Sequence, residues 1–392
     1  METLMKKIRI LAAAVTMLLS SVAVAQEPVK IGFMGVMSGP QGVLGEDMYA
    51  GFMLAVDREG GKLGGVPVQV FKEDSQLKPE LAVQLVDKLI DREQVSIITG
   101  VTFSNIMMAI QKPVTDREVF LIGANAGPAP IAGKQCNAFT YFSSWQNDMQ
   151  SEVVGKYATE QGYKRVIAMA PNYQAGKDYI AGFKRYFKGG EVEEIYTPLS
   201  QLDFSAELTR VAASRPDAVF IFYPGGLGIN FVRQYQQLGL MNSVPLLATA
   251  TVDGTTLPAM KEAALGVNIG TFWSPDLDVP ENKAFIEEFQ KKYNRIPSQY
   301  AAQSYDAALL IGSALKKVNG NMADKQAFAK ALKEADFNSV RGSFKFGNNN
   351  FPIQDMLMLR VVKDDKGQVV LKTIATPLKD HRDAYHQECA MQ

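Results

Sequence analysis

The sequence predicts an α/β protein of two lobes, each built on a doubly wound parallel sheet, joined by three short crossings that form a hinge. Two observations carry this reading. Short apolar runs alternate with amphipathic helical segments along most of the chain, which is the pattern of parallel βαβ units. The alternation then restarts after Ser144 with no low-complexity linker between the halves. A chain of 392 residues has length enough for two such sheets.

The elements follow in order. VKIGFMG (29–35) is an apolar run that ends in glycine. GEDMYAGFMLAVDREG (45–60) reads as a helix with Met48, Phe52, Leu54 and Val56 on its inner side. VPVQVFKED (66–74) places apolar residues at 66, 68 and 70, the period of a strand. PELAVQLVDKLIDRE (79–93) opens with proline in its first turn and gathers Leu81, Leu85, Val86 and Leu89 on one face. SIITG (96–100), a helix over 104–116 and VFLIGAN (119–125) complete the first set.

The second set has helices over 148–161, 176–188, 204–214 and 227–238. Its strands are RVIAMAP (165–171), EVEEIYTPL (191–199), DAVFIFYPGG (217–226) and PLLATAT (245–251). Two more helices cover 282–294 and 303–318, and KDDKGQ (363–368) reads as a solvated hairpin turn. Crossings fall near 144–147, 272–276 and 353–357. The first lobe is thus expected to hold 26–145 and 275–355, and the second 146–274 and 356–372. Residues 373–392 are expected as a tail that packs back near the first lobe. Hinged lobes of this kind close on ligands.

Residues 1–25 have the layout of a secretory signal peptide. Lys6, Lys7 and Arg9 precede the apolar stretch ILAAAVTMLL (10–19), and Ala23-Val24-Ala25 offers a small-residue cleavage site. The competing reading is a buried N-terminal helix. No cysteine stands at the cleavage point for lipid attachment, so a free periplasmic protein is expected. Removing three bases and one acid leaves 38 basic against 40 acidic residues, a balance that suggests neither nucleic acid nor an anionic membrane as partner. Cys136 and Cys389 are the only cysteines. In an oxidising compartment they are expected to pair, with two buried free thiols as the alternative.

Enzyme signatures are missing. Both histidines, His381 and His386, fall in the last twelve residues, which argues against a Ser-His or Cys-His relay within the lobes. GGLG (225–228) has the wrong spacing for a dinucleotide fingerprint, and AGKD (175–178) lacks the upstream glycine and the Ser/Thr of a phosphate loop. No zinc-ligand cluster or other metal site is legible, and no cofactor is expected. SALK (313–316) fits Ser-x-x-Lys only by chance on an amphipathic helix. Binding without catalysis is the expectation.

One stretch points to where binding occurs. The run VSIITG (95–100) passes into GVTFSN (100–105), which brings hydroxyls and backbone amides to the carboxyl edge of a sheet. In open α/β sheets ligands sit at that edge.

The residues resemble the periplasmic solute-binding proteins of ABC importers, in the branch of the leucine/isoleucine/valine-binding proteins. The likeness is carried by IGFMGVMSGPQGVLGEDMYAGFMLAV (31–56), GVTFS, IGANAGP, APNYQAGKD, DAVFIFYPGG and the helix near SYDAALL. It covers nearly all of the chain after residue 25. It implies the type I periplasmic-binding-protein fold, a monomer, and an inner-membrane ABC permease as partner. A sensory module that presents its ligand to a receptor is the second reading, and a secreted enzyme the third.

In that family a ligand carboxylate is held by a serine and small residues at strand ends. The matching positions are Ser104, Ala126 and Gly127, with Asn125 and Gly225 at neighbouring strand ends. Ser104 Oγ and the amides of Ala126 and Gly127 are expected to bond an anion, although Ser104 also reads as a plain helix N-cap. The resemblance places one acid for an amino acid's ammonium on Asn147, which is neutral, and the other at Asp253. One missing acid argues against amino acids, because an unpaired buried ammonium is costly. Leu44, Phe103, Tyr173, Tyr223 and Tyr300 fall near the side-chain pocket and give it an apolar, aromatic lining. SWQND, PNYQAGKD, QLDFSAEL and FYPGG resemble the members of the branch that bind aromatic acids. A small carboxylate of the benzoate or phenylpropanoid type is therefore expected, with an amino acid as the alternative.

Overall fold

The structure, a computed structural model, describes residues 26–391; the expected signal peptide, residues 1–25, lies outside the described residues. The first sheet contains β1 (Val29–Gly35), β2 (Lys62–Leu63), β3 (Val66–Asp74), β4 (Ile97–Gly100), β5 (Phe120–Gly123) and β6 (Thr140–Phe142), in the order β2-β3-β1-β4-β5-β6. The helices of this half are α1 (Gly42–Arg58), α2 (Pro79–Asp87), α3 (Ser104–Thr115) and the short α4 (Ala129–Ala132). All pairs except β2–β3 are parallel. β4 and β5 are buried at every position, as strands covered on both faces must be, which explains why they read as unbroken apolar runs.

The second sheet begins after α5 (Asn147–Glu160). Its parallel strands are β7 (Arg165–Pro171), β8 (Glu191–Thr197), β9 (Ala218–Ile221), β10 (Leu246–Thr249) and β11 (Asn268–Thr271). Between them run α6 (Gln174–Tyr186), α7 (Ser205–Ser214), α8 (Gly226–Gln237) and α9 (Leu257–Met260). The chain then returns to the first half as α10 (Pro280–Tyr293), α11 (Gln299–Lys317), which packs on α1, and α12 (Lys325–Glu334). It ends with β12 (Lys345–Phe346), β13 (Pro352–Lys363) and β14 (Val369–His381). In each sheet the strand order reverses once, between β1 and β4 and between β7 and β9. Those are the switch points at which α/β sheets open a crevice.

Two features depart from the sequence reading. The second sheet has an antiparallel edge, because β13 lies antiparallel to β11 and β14 returns beside β13 through a turn built on Asp364. Residues 373–381 therefore belong to β14, and the tail that was expected from 373 begins only after His381. The sequence reading named none of β6, β11, β13 and β14, of which β6 and β11 are only three and four residues long. β13 centres on the run Met356-Leu357-Met358-Leu359, which lacks the β-branched enrichment that marks a strand.

The three crossings meet at Arg341. Its guanidinium is buried and pairs with Asp306 at 2.9 Å. It also donates to the carbonyls of Ser143 and Ser144 on the first crossing (2.5 and 3.1 Å) and to Gln354 Oε1 on the third (2.7 Å). The ring of Phe272, on the second crossing, lies 5.2 Å from the guanidinium carbon. Cys136, after α4, is disulfide-bonded to Cys389. The tail and the end of β14 are held by polar contacts as well: Tyr385 OH donates to Asp148 (2.9 Å), Asn349 donates to Asp383 (3.0 Å), and His381, the last residue of β14, bonds Glu152. The tail thus touches both halves, where the sequence reading placed it on the first.

Arg341→Ala would leave the Asp306 carboxylate buried without its cation, and loss of one partner of such a pair costs about 3–5 kcal/mol. Urea unfolding of the variant is expected to show a loss of that order. Cys389→Ser opens a loop of 253 residues, which the chain-entropy model values at roughly 5.5 kcal/mol. A lower melting temperature is expected, with ligand affinity changed by less than about tenfold; unchanged melting would mean that the polar contacts alone hold the tail.

Candidate functional site

A cavity lies between the two sheets, at the carboxyl ends of their strands. Thr102, Phe103 and Ser104 follow β4, and Asn125 and Ala126 follow β5. Across from them stand Tyr173 and Ala175 after β7, Phe222 and Pro224 after β9, and Ala250 after β10. Leu44, Trp145, Asn147, Tyr179 and Tyr300 complete the wall. The gap between the walls, part of it open to solvent, is narrow enough that the centre of a water molecule could range over only about 20 Å³. The space is a narrow slot. The lobes are closed on it, since Gly226 N donates to Pro40 O (3.1 Å) and Ala129 N donates to Asp178 Oδ2 (3.1 Å).

Aromatic rings form the broad faces. Phe103 lies 6.1 Å from Tyr173, and Tyr179 stacks on Phe222 at 4.0 Å. Trp145 Nε1 donates to Tyr179 OH at 3.1 Å, which satisfies the indole and fixes the ring. Burial pushes the Tyr173 and Tyr300 phenols well above their ordinary value, so both are neutral donors. The polar end is different. Ser104 is the first residue of α3, and Phe103 occupies the cap position, with no side-chain cap bond. Ser104 Oγ instead accepts from Asn147 Nδ2 at 3.0 Å. That leaves its own proton for the cavity, beside the helix amides that have no intrahelical partner.

Backbone strain marks the same edge in both lobes. Val101 (φ 63°) and Ala250 (φ 46°) sit in the left-handed region immediately after β4 and β10. Such a conformation is unfavourable for a β-branched residue, and strained positions of this kind cluster at ligand sites.

The structure brings together Leu44, Phe103, Ser104, Asn125, Ala126, Asn147, Tyr173 and Tyr300, and keeps four other expected residues out of the wall. Tyr223 points into the core of the second lobe, where its hydroxyl meets Thr197 Oγ1 at 3.1 Å and its ring packs on Phe204 and Phe231. Side chains alternate along an extended chain, so it is the neighbour Phe222 that faces the cleft. Gly127 is needed because a Cβ there would lie 2.0 Å from Trp145 O. Its amide donates to Asn147 Oδ1, and that of Ala126 donates to Val101 O. Neither amide is free for an anion, contrary to expectation. Gly225 caps α8 against Pro40 and Leu44.

Asp253 also lies outside the wall. Its Oδ1 accepts from Thr255 N (2.7 Å) and Thr255 Oγ1 (2.6 Å), whereas its Oδ2 has no partner. Burial lifts its carboxyl to about 6. The sequence reading did not name Trp145, Tyr179, Phe222 or Ala250 as wall residues. The tryptophan of SWQND and the strand-end position of Ala250 were the available signals.

A two-lobed α/β chain closed over a small cavity at the edges of both sheets has the architecture of a solute-binding protein. The periplasmic binding protein family model matches residues 28–368. Leu/Ile/Val-binding protein homolog 6 of Brucella melitensis is 31% identical over 384 residues, which is 95% of this chain and 97% of the relative. The chain belongs to the periplasmic binding protein family. Among solved structures it is similar to an ABC-transporter solute-binding protein of R. palustris in complex with benzoate, with a TM-score of 0.87 and 28% identity over 93% of this chain and 100% of the other. It is also similar to one from Rhodopseudomonas palustris BisB5 in complex with 3,4-dihydroxybenzoic acid, with a TM-score of 0.84 and 28% identity over 91% and 99%.

Ser104→Ala removes the one hydroxyl that Asn147 presents to the slot. With a carboxylate probe such as benzoate, calorimetric titration tests whether that hydroxyl makes a charge-assisted bond, whose loss costs about 1.5–3 kcal/mol. Tyr223→Phe, deep in the lobe core, is expected to leave the affinity within about twofold; the reverse ranking would place the binding surface on the wrong side of β9.

Proposed function

We propose that this protein captures a small aromatic carboxylate, of the benzoate or phenylpropanoid type, in the periplasm. The lobes close on it and present it to an inner-membrane ABC permease, with the binding protein acting as a monomer. The observation that carries this reading is the composition of the wall: aromatic faces, neutral hydrogen-bonding groups at one end, and no charged side chain among the lining residues. A carboxylate is served there by the Ser104 hydroxyl and the start of α3. An amino acid's ammonium finds no carboxylate in the wall. Solute-binding proteins similar to this chain have been solved with benzoate and with 3,4-dihydroxybenzoic acid, which supports the same class.

The magnitudes are consistent with scavenging. Burying ~150 Å² of ring contributes roughly 4 kcal/mol at ~25 cal/mol per Å², and two or three charge-assisted bonds add about as much. After the costs of association this corresponds to a dissociation constant on the order of micromolar. An amino-acid reading would rest on Asp253, whose Oδ2 lacks a partner.

Titrations with benzoate, 4-hydroxybenzoate, leucine and isoleucine separate the two. Micromolar binding of a benzoate with no detectable leucine or isoleucine binding is expected, and the reverse order would sink the proposal. Small-angle scattering is expected to show a smaller radius of gyration at saturating benzoate, as the hinge closes.

A further inference from the structure

One buried carboxylate next to the slot has no cation. Asp178, on α6 of the second lobe, accepts only from neutral donors. Asn147 Nδ2 (2.8 Å) and Ala129 N (3.1 Å) reach its Oδ2, and Gln174 Nε2 (2.7 Å) reaches its Oδ1. The Ala129 contact crosses from the first lobe, so it exists only while the cleft is closed. The Asn147 amide that binds Asp178 also donates to Ser104 Oγ. A carboxylate bound at Ser104 is therefore linked to Asp178 through three hydrogen bonds, by way of Ser104 and Asn147, in a wall with no positive charge. Two anions held that close in a desolvated site repel each other strongly.

We propose that Asp178 is a positioning residue that sets the cleft's preference for anions, taking up one proton when the lobes close on a carboxylate. The inference rests on the carboxylate reading above. Protonation removes the like charge yet keeps the Asp178–Asn147–Ser104 chain intact, because the carboxyl oxygen still accepts from Asn147. Gln174 can turn its amide over and offer its oxygen to the new O–H. The surroundings are consistent with this. Burial, then the charge of Asp148, raises the Asp178 carboxyl to about 7.

The other ionisable groups packed here leave Asp178 uncompensated. On α5, Asp148 and Glu152 share Arg185, at 2.8 and 2.5 Å. From the chain end, Tyr385 bonds Asp148 and His381 bonds Glu152. Tyr173 and Tyr179, flanking Asp178 on its own side, are phenols held neutral by burial. Open to solvent, Asp178 would return toward the ordinary value of about 3.9. Closure thus binds a proton anywhere between that value and about 7, and by linkage ligand affinity rises as pH falls through this window.

Calorimetry with benzoate provides the test, run at pH 6 and pH 8 in phosphate and imidazole buffers of different ionisation enthalpy. Uptake of close to one proton is expected at pH 6 and close to none at pH 8, with binding about tenfold tighter at pH 6. Asp178→Asn mimics the protonated carboxyl. It is expected to bind benzoate with a pH-independent affinity near the wild-type value at pH 6, with no proton uptake. Asp178→Ala, which releases Asn147, is expected to bind at least about tenfold more weakly at pH 6. Wild-type binding without proton uptake overturns this inference alone, as does an undiminished pH slope in Asp178→Asn. Failure of benzoate to bind at either pH overturns the aromatic-acid reading, and this inference with it.

Discussion

The guanidinium of Arg341 stands where three separate segments pass between the lobes, and the relation of one lobe to the other depends on it. Burying a cation is unfavourable unless every donor finds an acceptor and an opposite charge lies close. Here Asp306, two serine carbonyls and Gln354 meet those requirements, and two phenylalanine rings cover the faces of the guanidinium. Because the acceptors come from different crossings, the hydrogen-bond network joins segments that are far apart in the chain. The two lobes are thereby held in one relation, with the strand ends of both sheets facing each other across the cavity.

That arrangement handles charge in an unusual order. Asp148, Glu152 and Arg185 are kept one layer behind the wall, on α5 and α6, where the arginine pairs with both acids and the chain's end bonds them, while Asp178 meets only neutral donors. The wall itself offers aromatic surface and neutral donors. Asn147 connects the two layers: one end of its amide fixes the Gly127 loop, and the other joins Ser104 to Asp178. A side chain with one acceptor and two donors can do this, whereas a carboxylate at that position has no proton to donate to either oxygen. The disulfide and the tail brace the same region from outside, since Cys136 follows α4, which begins at Ala129.

Much of the site was legible because strand ends in α/β sheets are where ligands bind, and GVTFSN and GANAGP were visible strand ends. That logic singled out the loop holding Ser104, and the family resemblance supplied Ser104, Phe103 and Tyr173 as site residues. The errors have equally plain causes. Tyr223 and Phe222 differ by one residue, so an error of one position sends the side chain to the opposite face. The amides of Ala126 and Gly127 look available in sequence, but partners brought by Val101 and Asn147 occupy them. Strand β13 was missed because its central Met-Leu run carries little strand preference, whereas β14, which holds Val, Ile and Thr, is placed by its antiparallel pairing with β13.

The sequence by itself determined the class of fold, the two sheets, the position of the cleft along the chain and the pairing partners available to two cysteines. Those properties follow from local periodicity and from which residues a strand end can tolerate. Only the tertiary structure decided which donors remain free, which ring faces the slot, and that a buried acid is joined to Ser104 by two hydrogen bonds through Asn147. Each of these depends on groups separated by 20 to more than 100 positions, such as Asn147 with Ser104, Asp178 with Ala129, or Arg341 with Ser143. No local pattern records such meetings, because the distances between these groups are set only when both lobes and all three crossings are in place.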